Sequence, residues 1–164
     1  MHEKFMARAI EIAAESIDMP GTLPYGAVIV QDGEIIGEGL NRATALNDPT
    51  SHGEVEAIRD ACARLSVTSL KGADLYTSGE PCSMCVAIMY QVGIARLFYA
   101  GAASDSADFF GKLAAHDPKW SRSMSNQELR EQVGQPIAER SMPAEQMMAD
   151  DMVAVFDAFV ARHT

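Results

Sequence analysis

Ser51-His52-Gly53-Glu54 and Pro81-Cys82-Ser83-Met84-Cys85 decide how this chain is read. Together they supply one imidazole, two thiols and one carboxyl group. An imidazole and two thiolates can hold a zinc ion, and three protein ligands leave the fourth tetrahedral position to water. That is the arrangement of a catalytic rather than a structural site. Zinc lowers the pKa of bound water to about 7. Glu54, two residues beyond His52, is then an acid/base placed beside that water but not on the metal.

The spacing has a physical reason. Cys82 and Cys85 stand at i and i+3, one helical turn apart, so both sulfurs point to one side. Pro81 marks the start of that helix, where a missing N–H costs nothing. A helix N-terminus favours negative charge and helps both cysteines ionise. The run from Glu54 to Arg64 reads as helix former throughout, so His52 and Glu54 open a second helix. Two helix starts facing one another would gather ligands and acid around one ion.

Working outward, residues 3–17 place Phe5, Met6, Ala9, Ile10, Ile12, Ala13 and Ile17 on one helical face. Ala27-Val28-Ile29-Val30 is a short apolar strand. Asp32-Gly33 is a hairpin turn that returns the chain as a second strand over 34–39. A loop from Asn41 to Ser51 delivers His52. Residues 73–77 and 95–100 are the third and fourth strands, on either side of the second metal helix over 82–91. Beyond 101, helices are expected at 108–115 and 127–132. A closing helix at 150–162 has Met152, Val153, Val155, Phe156, Phe159 and Val160 at helical spacing, and is expected to pack on the core. Strands alternating with helices after a hairpin imply a layered α/β domain with a mixed sheet.

At 164 residues and 48% apolar content, one globular domain over 1–164 is expected. The N-terminus is amphipathic rather than an apolar secretory segment, and no run of 18 apolar residues exists. Three cysteines, two of them claimed by the metal, leave no disulfide framework, so the cytoplasm is the default location. Cys62 reads as a small core residue. The net charge of −10, from 13 basic and 23 acidic residues, weighs against a protein that grips phosphate backbones.

His-x-Glu followed by Pro-Cys-x-x-Cys is the known signature of zinc-dependent nucleobase deaminases, and residues 5–101 resemble the cytidine-deaminase-like superfamily. Within it, Pro24-Tyr25-Gly26-Ala27-Val28-Ile29-Val30, Asn41, Asp48-Pro49-Thr50 and Tyr76-Thr77-Ser78-Gly79-Glu80-Pro81-Cys82 are most similar to bacterial guanine deaminases. The tail from Pro136 to Pro143 is similar more weakly. The resemblance implies a three-layer α/β/α fold with a mixed central sheet of about five strands. It also implies one Zn2+ per subunit, a homodimer, and a segment 101–164 that closes the pocket and, in some members, is swapped between subunits. It identifies His52, Cys82 and Cys85 as zinc ligands and Glu54 as the proton shuttle. Asn41, Gly53 and Tyr25 are implied to contact substrate. Asp108, with Asp105 behind it, is the candidate for a second proton carrier. The segment 111–135 has no placed counterpart.

The implied reaction is hydrolytic deamination of an amino heterocycle, guanine first, by zinc hydroxide with Glu54 moving the protons. Cytosine is the runner-up, because His-Gly-Glu also occurs in fungal cytosine deaminases. A tRNA adenosine deaminase shares the core but would want a basic tail, and residues 117–164 hold five Lys or Arg against eight Asp or Glu. A zinc-stabilised binding module without turnover would lack the shuttle, which is present.

Blander readings also stand. Ser51-x-x-Glu54 can be a helix capping box, although this leaves the cysteine pair unexplained. Cys-x-x-Cys can be a redox pair, although here it follows His-x-Glu. A structural zinc would want a fourth ligand. His2, His116 and His163 read as solvated, with His116 near the candidate pocket loop, and Trp120 reads as a packed loop residue.

Overall fold

Ala27, Val28, Ile29 and Val30 are all buried, because strand β1 (Leu23–Gln31) is covered on both faces. The structure is a computed structural model that describes residues 2–164. β1 pairs antiparallel with β2 (Glu34–Asn41) on one side and with β3 (Asp74–Gly79) on the other. β4 (Arg96–Gly101) adds parallel to β3, giving a mixed sheet of order β2-β1-β3-β4. Asp32 and Gly33, at φ 52° and 84°, make the two-residue turn between β1 and β2. Positive φ at both positions is what makes Asp-Gly suit such a turn.

Helix α1 (His2–Glu15) precedes the hairpin and the short α2 (Ala43–Leu46) follows it. α3 (Gly53–Leu65) leads into β3, and α4 (Ser83–Val92) connects β3 to β4. Side chains alternate between the faces of a strand, and two cores result. Val28 and Val30 pack with Phe5, Ala9 and Ile12 of α1. Ala27 and Ile29 pack with Val55, Ala57 and Ile58 of α3 and with Cys85, Met89 and Val92 of α4. The sheet is therefore sandwiched between α1 and the α3/α4 pair, the expected three layers. Cys62 packs half-buried against the second core.

α3 lies on β2 almost backbone to backbone. A Cβ on Gly39 would collide with the amide of Ala57 and the carbonyl of Gly53. A glycine there lets the helix that carries the functional residues sit this close to the sheet.

Two features differ from the expectation. The sheet has four strands among the described residues, not about five. After Gly101 the chain enters α5 (Ala103–His116) at once, and the segments beyond are helical or irregular. The chain divides into two compact units, Met1–Leu129 and Arg130–Thr164. The second unit holds the end of α6 (Asn126–Gly134) and all of α7 (Ala149–His163), and none of its residues is buried. α7 was expected to pack on the core. Its helical stripe is real, but Met152, Val153, Val155, Phe156, Phe159 and Val160 are all exposed. No helix among the described residues is long and apolar enough to cross a membrane.

Candidate active site

His52 and Cys82 are the N-cap residues of α3 and α4, each with extended backbone, so two helix starts converge as the spacing predicts. The loop before His52 is pinned from within. Asp48 Oδ1 accepts the Thr50 N–H at 2.8 Å and its hydroxyl at 2.6 Å. The Arg42 N–H donates to the Ser51 carbonyl at 2.9 Å. Ser51 is fully buried, and its hydroxyl donates to Glu56 Oε1 at 3.0 Å. The alternative of a Ser51–Glu54 capping box is therefore not realised: Ser51 turns to Glu56, and the cap position belongs to His52.

His52 Nδ1, Cys82 Sγ and Cys85 Sγ form a triangle with sides of 3.5, 3.6 and 3.6 Å. Zn–S bonds of about 2.3 Å and a Zn–N bond of about 2.0 Å at tetrahedral angles require edges of about 3.5–3.8 Å. The donor set fits zinc in chemistry and in size. No fourth His, Cys, Asp or Glu among the described residues joins the group, so the structural-zinc reading lacks its ligand.

The three donors shift one another's protons by direct contact. A hydrogen bond from the Cys85 thiol, aided by His52 and opposed by burial, brings the Cys82 thiol down to about 3. Cys85, the donor in that bond and itself buried, is pushed up. Bonding to Cys82 raises His52. Metal ligation displaces such protons. Glu54 is 5% exposed, and burial raises its carboxyl above the ordinary range.

Glu54, His52 and Cys82 line a cavity of about 30 Å³ with Asn41 and Tyr25, room for a water molecule. Asn41 is buried, and its Oδ1 accepts the Ala43 N–H at 3.2 Å. Its amide N–H groups remain the donors it can offer a ligand. Tyr25 is delivered by an irregularity in the β1–β2 ladder between Leu23 and Gly26, the kind of break that re-aims a side chain. Its ring lies parallel to Phe110, 7° between planes and 6.3 Å between centres. Burial raises its phenol, and a hydrogen bond with Ser106 opposes this.

Two expected contacts are not placed in the cavity. Gly53 is buried against β1, where a Cβ would lie 2.5 Å from the Tyr25 carbonyl oxygen. Close packing at the helix start therefore leaves no room for a side chain at this position. Asp108 is exposed on α5 and does not line the cavity. Asp105 instead accepts the Ala102 N–H at 2.8 Å and caps that helix. His116 is exposed at the end of α5, away from the cavity lining. His2, expected to be solvated, bonds the Tyr76 hydroxyl at 2.5 Å.

Sequence reasoning missed four lining residues: Glu80, Ser106, Arg122 and Asn126. Glu80 sits inside the Tyr76–Cys82 stretch but was given no role. Its carboxylate accepts the Ala103 N–H at 2.9 Å, tying the β3–α4 turn to the start of α5. Ser106 carries no motif. Arg122 and Asn126 fall in 111–135, where no local pattern marks a site.

Comparison with known proteins agrees with this geometry. The family model for the cytidine and deoxycytidylate deaminase zinc-binding region matches residues 1–101. The chain is 37% identical to the guanine deaminase of Bacillus subtilis, over 96% of this chain and 93% of that protein. The crystal structure of that guanine deaminase superposes with a TM-score of 0.82, at 35% identity, covering 98% of this chain and 94% of its own. A tRNA-specific adenosine deaminase of Agrobacterium fabrum is 40% identical over 68% of this chain and 77% of its own length. A structure of the guanine deaminase of Nitrosomonas europaea has a TM-score of 0.59 at 27% identity, covering 65% and 62%.

Proposed function

Because this chain belongs to the cytidine and deoxycytidylate deaminase family through its zinc-binding region, we propose that it is a zinc-dependent hydrolytic deaminase of a free nucleobase, guanine first. The observation that carries the choice of base is similarity to a guanine deaminase that runs nearly end to end.

His52, Cys82 and Cys85 hold the zinc. Zinc bound there supplies a Lewis acid and lowers the pKa of its water to about 7. Glu54 takes the two protons of the attacking water in turn and passes one to the ring nitrogen and the other to the leaving amine. Water and the amidine carbon thus become a carbonyl and ammonia. Burial raises this carboxyl above the ordinary range, and a shuttle needs a group that can both take and give a proton. The Asn41 amide donates to an acceptor on the ring, and Tyr25 walls the cavity beside it.

The chain acts in this reading as one deaminase domain over 1–164 in the cytoplasm, in purine metabolism, with 101–164 closing the pocket. The partner is a second copy of itself. The exposed apolar stripe of α7 supports a homodimer, with segment exchange as one arrangement. A tRNA adenosine deaminase is the second reading, favoured by the 40% identity to such an enzyme. The net charge of −10 disfavours it.

The test is ammonia release by the zinc-loaded protein from guanine, guanosine, cytosine, adenine and an adenosine-bearing tRNA, with Glu54→Gln as control. Release from guanine supports the reading. Release from cytosine alone, or only from an adenosine-bearing tRNA, replaces it.

A further inference from the structure

The catalytic cavity contains one Lys or Arg among its lining residues, Arg122. The same side chain lines an adjoining cavity of about 660 Å³ between α5 and the segment 120–128, which also shares Ser106 and Asn126. Arg122 is exposed, toward the solvent side, whereas Glu54, which lines the same cavity, is buried. Its guanidinium carbon sits 3.6 Å from the centre of the Phe110 ring. Phe110 in turn lies parallel to Tyr25. A guanidinium stacked this way has its plane fixed by the ring, and its N–H groups are directed outward along that plane.

We propose that Arg122 grips the 6-oxo/N7 edge of the substrate and so selects a 6-oxopurine over a 6-aminopurine. This rests on the guanine reading above. Hydrolysis replaces the 2-amino group, so the 2-position must enter toward Glu54 and the His52/Cys82/Cys85 cluster. The ring edge on the far side carries the 6-oxo oxygen and N7, two neighbouring acceptors. A guanidinium presents two parallel N–H donors at matching spacing, the pairing by which arginine reads this same edge of guanine in nucleic acids. A 6-amino group would set donor against donor. The Asn41 amide, on the inner wall, is left for the pyrimidine ring. Arg122 is thus a specificity-determining residue that binds substrate without moving a proton.

A competing role is that Arg122 only offsets the charges of Glu54 and Glu80. The two roles separate on a pair of substrates that share the 2-amino group and differ at position 6: guanine and 2,6-diaminopurine. In the zinc-loaded full chain, Arg122→Ala should lower kcat/KM for guanine by roughly 5- to 150-fold, the discrimination range of a bidentate pair. The loss should appear mainly in KM, because the contact is made equally in the ground and transition states. Turnover of 2,6-diaminopurine should stay within about threefold, so the preference for guanine collapses. Arg122→Lys keeps the charge without the fork and should restore little of that preference. Zinc content and Tm of both variants should match the wild type, since the side chain is exposed. An equal fall on both substrates, or no change on guanine, overturns the proposal while leaving guanine deamination standing. A wild-type protein silent on guanine overturns both.

Discussion

His52 Nδ1 lies 3.5 Å from Cys85 Sγ although 33 residues separate them in the chain. Only the meeting of the α3 and α4 N-termini closes that gap. Cys82 completes the triangle at 3.6 Å from each.

Removing one corner should empty the site. Cys85→Ala is expected to purify with far less zinc than the wild type's one ion per chain, read by elemental analysis. Because metal binding adds to folding free energy, a chelator that strips zinc should also lower the wild-type Tm. A Cys85→Ala protein with full zinc content would contradict the ligand assignment.

Glu54→Gln separates the shuttle from the metal. Glu54 is buried and is not one of the three metal ligands. The amide keeps its shape but cannot carry a proton. Zinc content should be unchanged, and kcat should fall by about 10²–10⁴-fold. Retained turnover would show that another group moves the proton.

The Arg8–Glu38 pair ties α1 to β2 through two hydrogen bonds, at 2.8 and 2.9 Å. Arg8 holds the Glu38 carboxyl below its ordinary range. A carboxylate whose folded pKa is depressed stabilises the fold fully above its unfolded value, about 4.3, and loses that contribution as pH falls through the lowered folded value. Both side chains are about one-third exposed, so solvent screening limits the pair to about 0.5–1 kcal/mol. Glu38→Gln should cost that much at pH 7 in urea unfolding. The difference from wild type should shrink below about pH 4. A constant difference across that range would assign the effect to packing instead.

Gly39→Ala tests the close approach of α3 to β2. The added methyl would meet helix backbone, which cannot swing aside as a side chain can. Overpacking of this kind costs about 1–3 kcal/mol, read as a Tm lower by about 2–4 °C per kcal/mol. The shift should also displace His52 and Glu54 and reduce kcat. An alanine variant with wild-type Tm and rate would mean that the layers separate freely.

Phe156 and Phe159 are 58% and 63% exposed on α7, apolar area that a second copy would cover. The wild type should run as a dimer by light scattering. Replacing both phenylalanines by serine should shift it toward monomer with zinc content intact. A wild-type monomer at micromolar concentration would remove the homodimer from the proposal.

The sequence by itself determined what is local. Cys82 and Cys85 fall one turn apart whatever surrounds them, and Asp32-Gly33 has the backbone freedom a tight turn demands. An unbroken apolar run marked β1, apolar residues at helical spacing marked α1, and a run of helix formers marked α3. Identity of donor atoms was enough to name His52, Cys82, Cys85 and Glu54. What only the tertiary structure decided is everything that depends on distance through space. Arg122 and Asn126 reach the cavity, and Asp108 and Gly53 do not, because α5 and the segment after it are placed by Glu80, Tyr25 and Phe110. No period in the sequence encodes such a placement. α7 shows the same limit from the other side: its stripe foretold a helix, but a stripe states that an apolar face exists and not what covers it.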